Sequence, residues 1–154
     1  MFELPAAEQT VIAQLGALKP ALVLISLGTN EATNTTLNPG AITAAMDSVL
    51  VAIRRHMPEA VVLLSTPPDH LERRRLSNLK VRQMRRLIVD YAEANGLAWW
   101  DLHEVMGGVG SMERWYEDEL AREDRIHFTA EGYRLQGELL VAALLRAYDR
   151  YVSS

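Results

Sequence analysis

The chain is 154 residues long, 49% hydrophobic and 23% charged, the length and mix of one soluble globular domain. Sixteen Lys and Arg against twenty Asp and Glu leave a net charge of -4, which gives no global attraction for nucleic acid or anionic lipid. There is no cysteine, so disulfides, thiolate metal sites and a cysteine nucleophile are excluded. No apolar run approaches the ~20 residues of a membrane span. The opening MFELPAAEQT has neither a basic start nor an apolar core, so no export signal is expected within it.

In chain order, a first helix is expected from about Pro5 to Leu18, followed by the aliphatic stretch Ala21–Ser26, ALVLIS. This stretch and Ala60–Ser65, AVVLLS, read as strands buried on both faces, as in a parallel sheet. Between them Asn38 and Pro39 look like a cap and first turn, and Ile42, Met46, Val49, Leu50 and Ile53 fall on one helical face. A further helix is expected from Glu72 to Asn95, with Met84, Leu87, Ile88 and Tyr91 inward and Gly96 as its stop. GLAWWDL, Gly96–Leu102, is a weaker third strand. The last helix starts after Thr129 as N-cap, with Leu140, Leu144, Ala147, Tyr148 and Tyr151 on its inward stripe.

Alternating strands and helices predict an α/β fold with a parallel sheet and right-handed crossovers. We expect a single domain over 1–154. In such sheets function gathers in the loops after the carboxyl ends of strands. Here those are LGTNEATN, TPPDH and the segment leading into EDRIHF.

Two of these loops carry candidate chemistry. Asp124 stands three residues before His127, and a carboxylate on one imidazole nitrogen fixes the tautomer of a general base. The same D-x-x-H is equally compatible with a solvated loop and a helix cap. In SLGTNEA, Gly28 and Thr29 end a buried strand and Asn30 follows. An amide there can donate to a developing oxyanion, or the residues can simply form a turn.

Taken together, Gly28-Thr29-Asn30-Glu31 and Asp124-Arg125-Ile126-His127 resemble the third and fifth sequence blocks of the SGNH hydrolases, the GDSL-type esterases. GGVGSMERW and HFTAEGYRLQGELL extend the likeness to the branch containing peptidoglycan O-acetylesterases, where G-T-N-E also replaces G-x-N-D. The resemblance implies a flavodoxin-like three-layer α/β/α fold and a Ser-His-Asp esterase. It assigns His127 as base, Asp124 as its orienting partner and Asn30 as oxyanion donor. Gly28, Thr29, Glu31 and Trp115 would line the substrate site, although Trp115 reads first as a packing residue; from its position Glu31 would help to hold the Asn30 loop. It implies an O-acylated carbohydrate as substrate, no cofactor or metal, and a periplasmic or extracellular setting.

The family's G-D-S strand, which carries the nucleophile, and its second block are both absent from the sequence. The first strands of the domain are therefore expected to be missing and the nucleophile is unassigned. Ser26, Ser65 and Ser111 lie in no nucleophile elbow. Ala21–Ser26 should then be a sheet edge, prone to self-association or to pairing with a partner polypeptide. The alternative is an inactive remnant of the fold or a carbohydrate-binding module.

The remaining features have plainer readings. Seven basic residues between Arg73 and Arg86 lack interleaved aromatics, so a solvated helix face is expected rather than a nucleic-acid site. His56, His70 and His103 have no metal-ligand spacing. The pair Asp69-His70 follows STPP at a strand end, where a loop turn is the plainer reading and a pocket-lining role the alternative; Asn78, early in a helix, could face the pocket. Trp99 and Trp100 read as packing residues.

Overall fold

The computed structural model describes residues 6–33 and 36–154, with side chains from residue 10 onward. Pro5 and Asn34, included in the helix and loop expected above, lie outside the described residues. The elements are α1 (Ala6–Ala17), β1 (Leu22–Ser26), α2 (Thr29–Thr33), α3 (Pro39–His56), β2 (Val61–Ser65), β3 (Leu71–Glu72), β4 (Leu76–Ser77), α4 (Leu79–Ala94), β5 (Ala98–Trp100), α5 (Leu102–Val105), α6 (Ser111–Glu117) and α7 (Ala130–Val152).

The chain is mixed α/β. Strands β1, β2 and β5 form a parallel sheet in that order, with Leu24 opposite Leu63 and Leu64 opposite Trp99. Helices cover both faces. On one, Met46 and Ile53 of α3 and Met84, Ile88 and Tyr91 of α4 pack on Val62 and Leu64. On the other, Leu139, Leu140 and Ala143 of α7 pack on Leu63, Trp100 and Leu102. Both faces of β2 are apolar because both are covered, which is why VVLLS reads as an unbroken aliphatic run.

The caps follow local chemistry. The Asn38 side chain accepts from Ala41 N at the start of α3, where Pro39 loses no helical hydrogen bond. The Thr129 hydroxyl accepts from Gly132 N at the start of α7.

Three expectations need correction. β1 is not buried on both faces: Leu22 and Leu24 are 40% and 43% exposed, and among the described residues β1 pairs with β2 alone. The helix expected from Glu72 begins at Leu79 instead. The segment before it is a β3–β4 hairpin, turned by Arg73 and Arg74 at φ of 51° and 60° and followed by Asn78 as N-cap. In α7 the inward residues are Leu135, Leu139, Leu140 and Ala143, while Leu144, Tyr148 and Tyr151 are 40%, 62% and 79% exposed and Ala147 is exposed as well.

Candidate active site

The loop before α7 is a compact built structure. Asp124 Oδ1 accepts the backbone N–H groups of Ile126 and His127 at 2.9 and 3.0 Å, the turn that Asp side chains form with residues just ahead. That turn brings the His127 ring back over the same carboxylate, with Nδ1 2.8 Å from Asp124 Oδ2. An ionised carboxylate only accepts, so Nδ1 carries the proton and Nε2 presents the lone pair. The His127 side chain is 59% exposed, which leaves Nε2 accessible.

Burial would raise the pKa of Asp124, but the hydrogen bonds from His127 and Ile126 outweigh it and bring it down to about 2. The carboxylate is therefore charged throughout the neutral range.

Several contacts hold this turn in place. Arg125 lies in the left-handed region at φ 57°, a conformation that costs a non-glycine residue ~1 kcal/mol or more. Its guanidinium stacks 3.2 Å above the Tyr116 ring, bonds to Glu113 Oε2 at 3.2 Å and donates to Glu123 O at 2.8 Å. From the hairpin, Leu71 N donates to Arg125 O at 3.0 Å. Directly after His127, Phe128 is buried and stacks on Trp115, ring centroids 4.8 Å apart. Trp115 is 7% exposed and its Nε1 donates to Met106 O, so its ring supports the loop from below. An open cleft of about 800 Å³ borders Asp124, with Arg74, Tyr116, Arg122 and Thr129 in its lining.

The β1–α2 turn holds the other candidates. Gly28 has φ 109°, and a Cβ there would lie 2.7 Å from Met84 Cγ. Both facts demand glycine. Gly28 N donates to Glu31 Oε2 at 3.0 Å, so the Glu31 carboxylate closes the turn that carries Thr29 and Asn30. Asn30 is exposed. Its carbonyl accepts from the Thr33 hydroxyl, and its side-chain amide has no hydrogen-bond partner among the described residues. Beside Glu31 an apolar cavity of about 290 Å³ is lined by Leu27, Ile42, Met46 and Met84.

A buried polar layer joins these loops. Asp69 Oδ2 accepts from Gly110 N and Met112 N, which ties TPPDH to the glycine-rich segment before α6. Asn78 Nδ2 donates to Ala32 O in α2 and meets His70 Nε2. Arg85 makes a bidentate pair with Asp101, whose Oδ1 also accepts from the Thr66 hydroxyl. Neither Arg85 nor Asp101 stood out in the sequence. The Arg–Asp partnership spans two elements, and only the signal of Asp101 as the N-cap of α5 is local.

The serines are placed as follows. Ser65 is 1% exposed and donates to Thr66 O. Ser111 is fully buried. Ser26 is exposed on β1. Among the described residues no group of three His, Cys, Asp or Glu stands together to hold a metal, and no helix is long and apolar enough to cross a membrane.

The fold has close counterparts. A structure titled as a peptidoglycan O-acetylesterase in action superposes with a TM-score of 0.82 at 27% identity, covering 92% of this chain and 41% of that one. A lipase/acylhydrolase from Enterococcus faecalis gives a TM-score of 0.61 at 24% identity, covering 83% of this chain and 63% of that one. An acetyl xylan esterase gives 0.62 at 17% identity, covering 82% and 68%. The last two likenesses are of fold. The chain thus spans 41% and 63% of the first two proteins. No curated protein matches it by sequence. Residues 5–135 match the GDSL-like lipase/acylhydrolase family, and the chain belongs to that family, the SGNH hydrolases.

Proposed function

We propose that this chain is the histidine- and oxyanion-bearing portion of an ester hydrolase acting on O-acylated carbohydrate, O-acetyl groups above all. The observation that carries the reading is the Asp124–His127 pair, 2.8 Å apart with Nε2 free to work. The substrate class rests on likeness to the peptidoglycan O-acetylesterase.

In this reading a serine hydroxyl attacks the acyl carbon while His127 Nε2 takes its proton, and Asp124 stabilises the imidazolium. The carbonyl oxygen becomes an oxyanion, which the Asn30 amide N–H stabilises. His127 then protonates the departing sugar oxygen, and water releases the acid from the acyl-enzyme by the same route. Ester hydrolysis by this route needs no cofactor.

The serine is supplied from outside these 154 residues. Supporting this, Ser65 and Ser111 are closed off in the core, where no ester could reach them. The edge of β1, unpaired among the described residues and with Leu22 and Leu24 uncovered, suits an added strand, from a segment bearing the nucleophile or from another copy of the chain. The same serine positions also support a second reading, an inactive carbohydrate-binding remnant, and one experiment separates the two.

Hydrolysis of p-nitrophenyl acetate is followed with the chain alone and after adding a polypeptide that carries the family's G-D-S strand. The chain alone should stay near background. The added strand should restore turnover, and His127→Ala should remove it by a factor of ~10⁴ or more. Turnover that is indifferent to His127, or no restoration at all, rejects the esterase reading.

A further inference from the structure

Asn78 uses more of its amide than a helix cap requires. Capping α4 needs only Oδ1, which accepts from Lys80 N at 3.1 Å, and Asp or Ser would serve equally well. The NH₂ group is what sets asparagine apart. It donates to Ala32 O at 2.8 Å and lies 3.0 Å from His70 Nε2. Both residues are buried, Asn78 3% and His70 1% exposed.

These partners fix the protonation state of His70. A backbone N–H on one side of the Asn78 amide and a backbone carbonyl on the other allow only one orientation of that amide. His70 Nε2 must therefore accept, so its proton sits on Nδ1 and the ring is neutral. Burial lowers the pKa of His70, against the upward pull of Asp69 and the Pro68 backbone and with the help of Lys80. The neutral ring is thus the favoured form.

What is held matters. Helix α2 has five residues, too few to persist by itself, and its final carbonyls have no partners within the helix. Asn78 supplies one of them. His70 and Asn78 stand at the base of the β3–β4 hairpin, joined by the bond from Asn78 N to His70 O. The next residue, Leu71, donates to the carbonyl of Arg125, inside the Asp124–His127 turn. His70 therefore connects through Asn78 to one half of the candidate active site, and the adjacent Leu71 bonds directly to the other.

We infer that Asn78, braced by His70, is a positioning residue that sets α2 and its Asn30 amide against the Asp124–His127 turn. The consequence for catalysis rests on the proposed role of Asn30, whereas the hold on α2 does not.

The test uses hydrogen exchange and kinetics on the whole chain. Asn78→Asp keeps the shape and the capping oxygen but removes both donors. The amides of Ala32 and Thr33 should exchange about tenfold faster, the effect of one buried hydrogen bond, while amides in the middle of α4 change less than about twofold. His70→Leu and His70→Gln form a second pair that puts no charge in the core. Leucine should loosen α2, and glutamine, which offers an acceptor in place of Nε2, should restore it.

In the reconstituted esterase Asn78→Asp should lower kcat with KM unchanged, and should have no further effect once Asn30 is alanine. Unchanged α2 exchange in both Asn78→Asp and His70→Leu would overturn the inference. So would equal loosening of α4, or losses that multiply in the Asn30/Asn78 double variant. If the unaltered chain shows no esterase turnover after the G-D-S strand is added, the esterase reading fails, and α2 exchange alone decides the role of Asn78.

Discussion

The same substitution, glycine to alanine, should act with opposite sign at two places five residues apart in α7. A Cβ on Gly132 would lie 2.0 Å from Leu120 O, 2.9 Å from Leu120 C and 3.0 Å from Phe128 Cβ. Carbon and carbonyl oxygen normally approach no nearer than ~3.3 Å, so the first turn of α7 must move by more than ~1 Å. That movement strains the bonds from Thr129 N to Leu120 O and from the Thr129 hydroxyl to Glu119 O. It also pulls on Phe128, next to His127. Overpacking of this kind costs ~1–3 kcal/mol, and one weakened hydrogen bond adds ~1 kcal/mol. Together they exceed the ~0.5–1 kcal/mol that alanine gains over glycine in a helix. At Gly137 a Cβ meets nothing within 4 Å, so only that gain remains. Urea unfolding followed by circular dichroism should place Gly132→Ala about 1–3 kcal/mol below the parent chain and Gly137→Ala about 0.5–1 kcal/mol above it. The reconstituted esterase should lose turnover only with Gly132→Ala. If the two variants shift in the same direction, the close approach of α7 to Leu120 is not what sets the loop.

The remaining predictions concern the site itself. Asn30→Ala should lower kcat by ~10²–10³ in the reconstituted enzyme, the loss typical of one oxyanion donor. Because Asn30 is exposed, its urea midpoint should scarcely move. Asp124 has a folded pKa depressed to about 2 from 3.8, so its contribution to stability is complete above pH ~4 and is lost as pH falls toward 2. Asp124→Asn removes that contribution. The gap in urea midpoint between parent and variant should therefore close between pH ~4 and ~2, and a gap that persists or widens below pH ~4 would contradict the hydrogen-bonded carboxylate.

What could be read in the sequence was what local chemistry decides. Asn38 before Pro39 and Thr129 before α7 are caps whose partners lie three residues on. D-x-x-H works the same way, since Asp124 bonds to the amides of the residues it precedes. The β3–β4 hairpin could not be read. LERRRLSNLK is rich in good helix formers, and the turn places Arg73 and Arg74 at positive φ, which no propensity favours. What holds it is remote, above all the bond from Leu71 N to Arg125 O. The stripe of α7 failed differently. LLVAALL is apolar all round, so period alone cannot choose a face, and the positions of Leu63 and Trp100 make the choice. In β1 the aliphatic run was legible but its burial was not, because burial belongs to the neighbours of a strand rather than to the strand.

This division between local and remote causes bears on how the site can work. Almost every contact that shapes the Asp124–His127 turn comes from within Met106–Tyr133, with Leu71 added. Those that shape the Asn30 turn come from Gly28, Glu31 and Asn78. None passes through the open edge of β1. Both halves of the candidate site can therefore be in place before any serine strand joins the sheet, and the conformational entropy of ordering them is already offset by folding. A strand that docks on β1 then has to bring only its own serine into register. Such docking should restore turnover without reshaping the His127 loop, and the rate should saturate with strand concentration as a simple binding curve. A lag or a sigmoidal response would mean instead that the loop is built by the strand, which the geometry of Asp124 and Arg125 argues against.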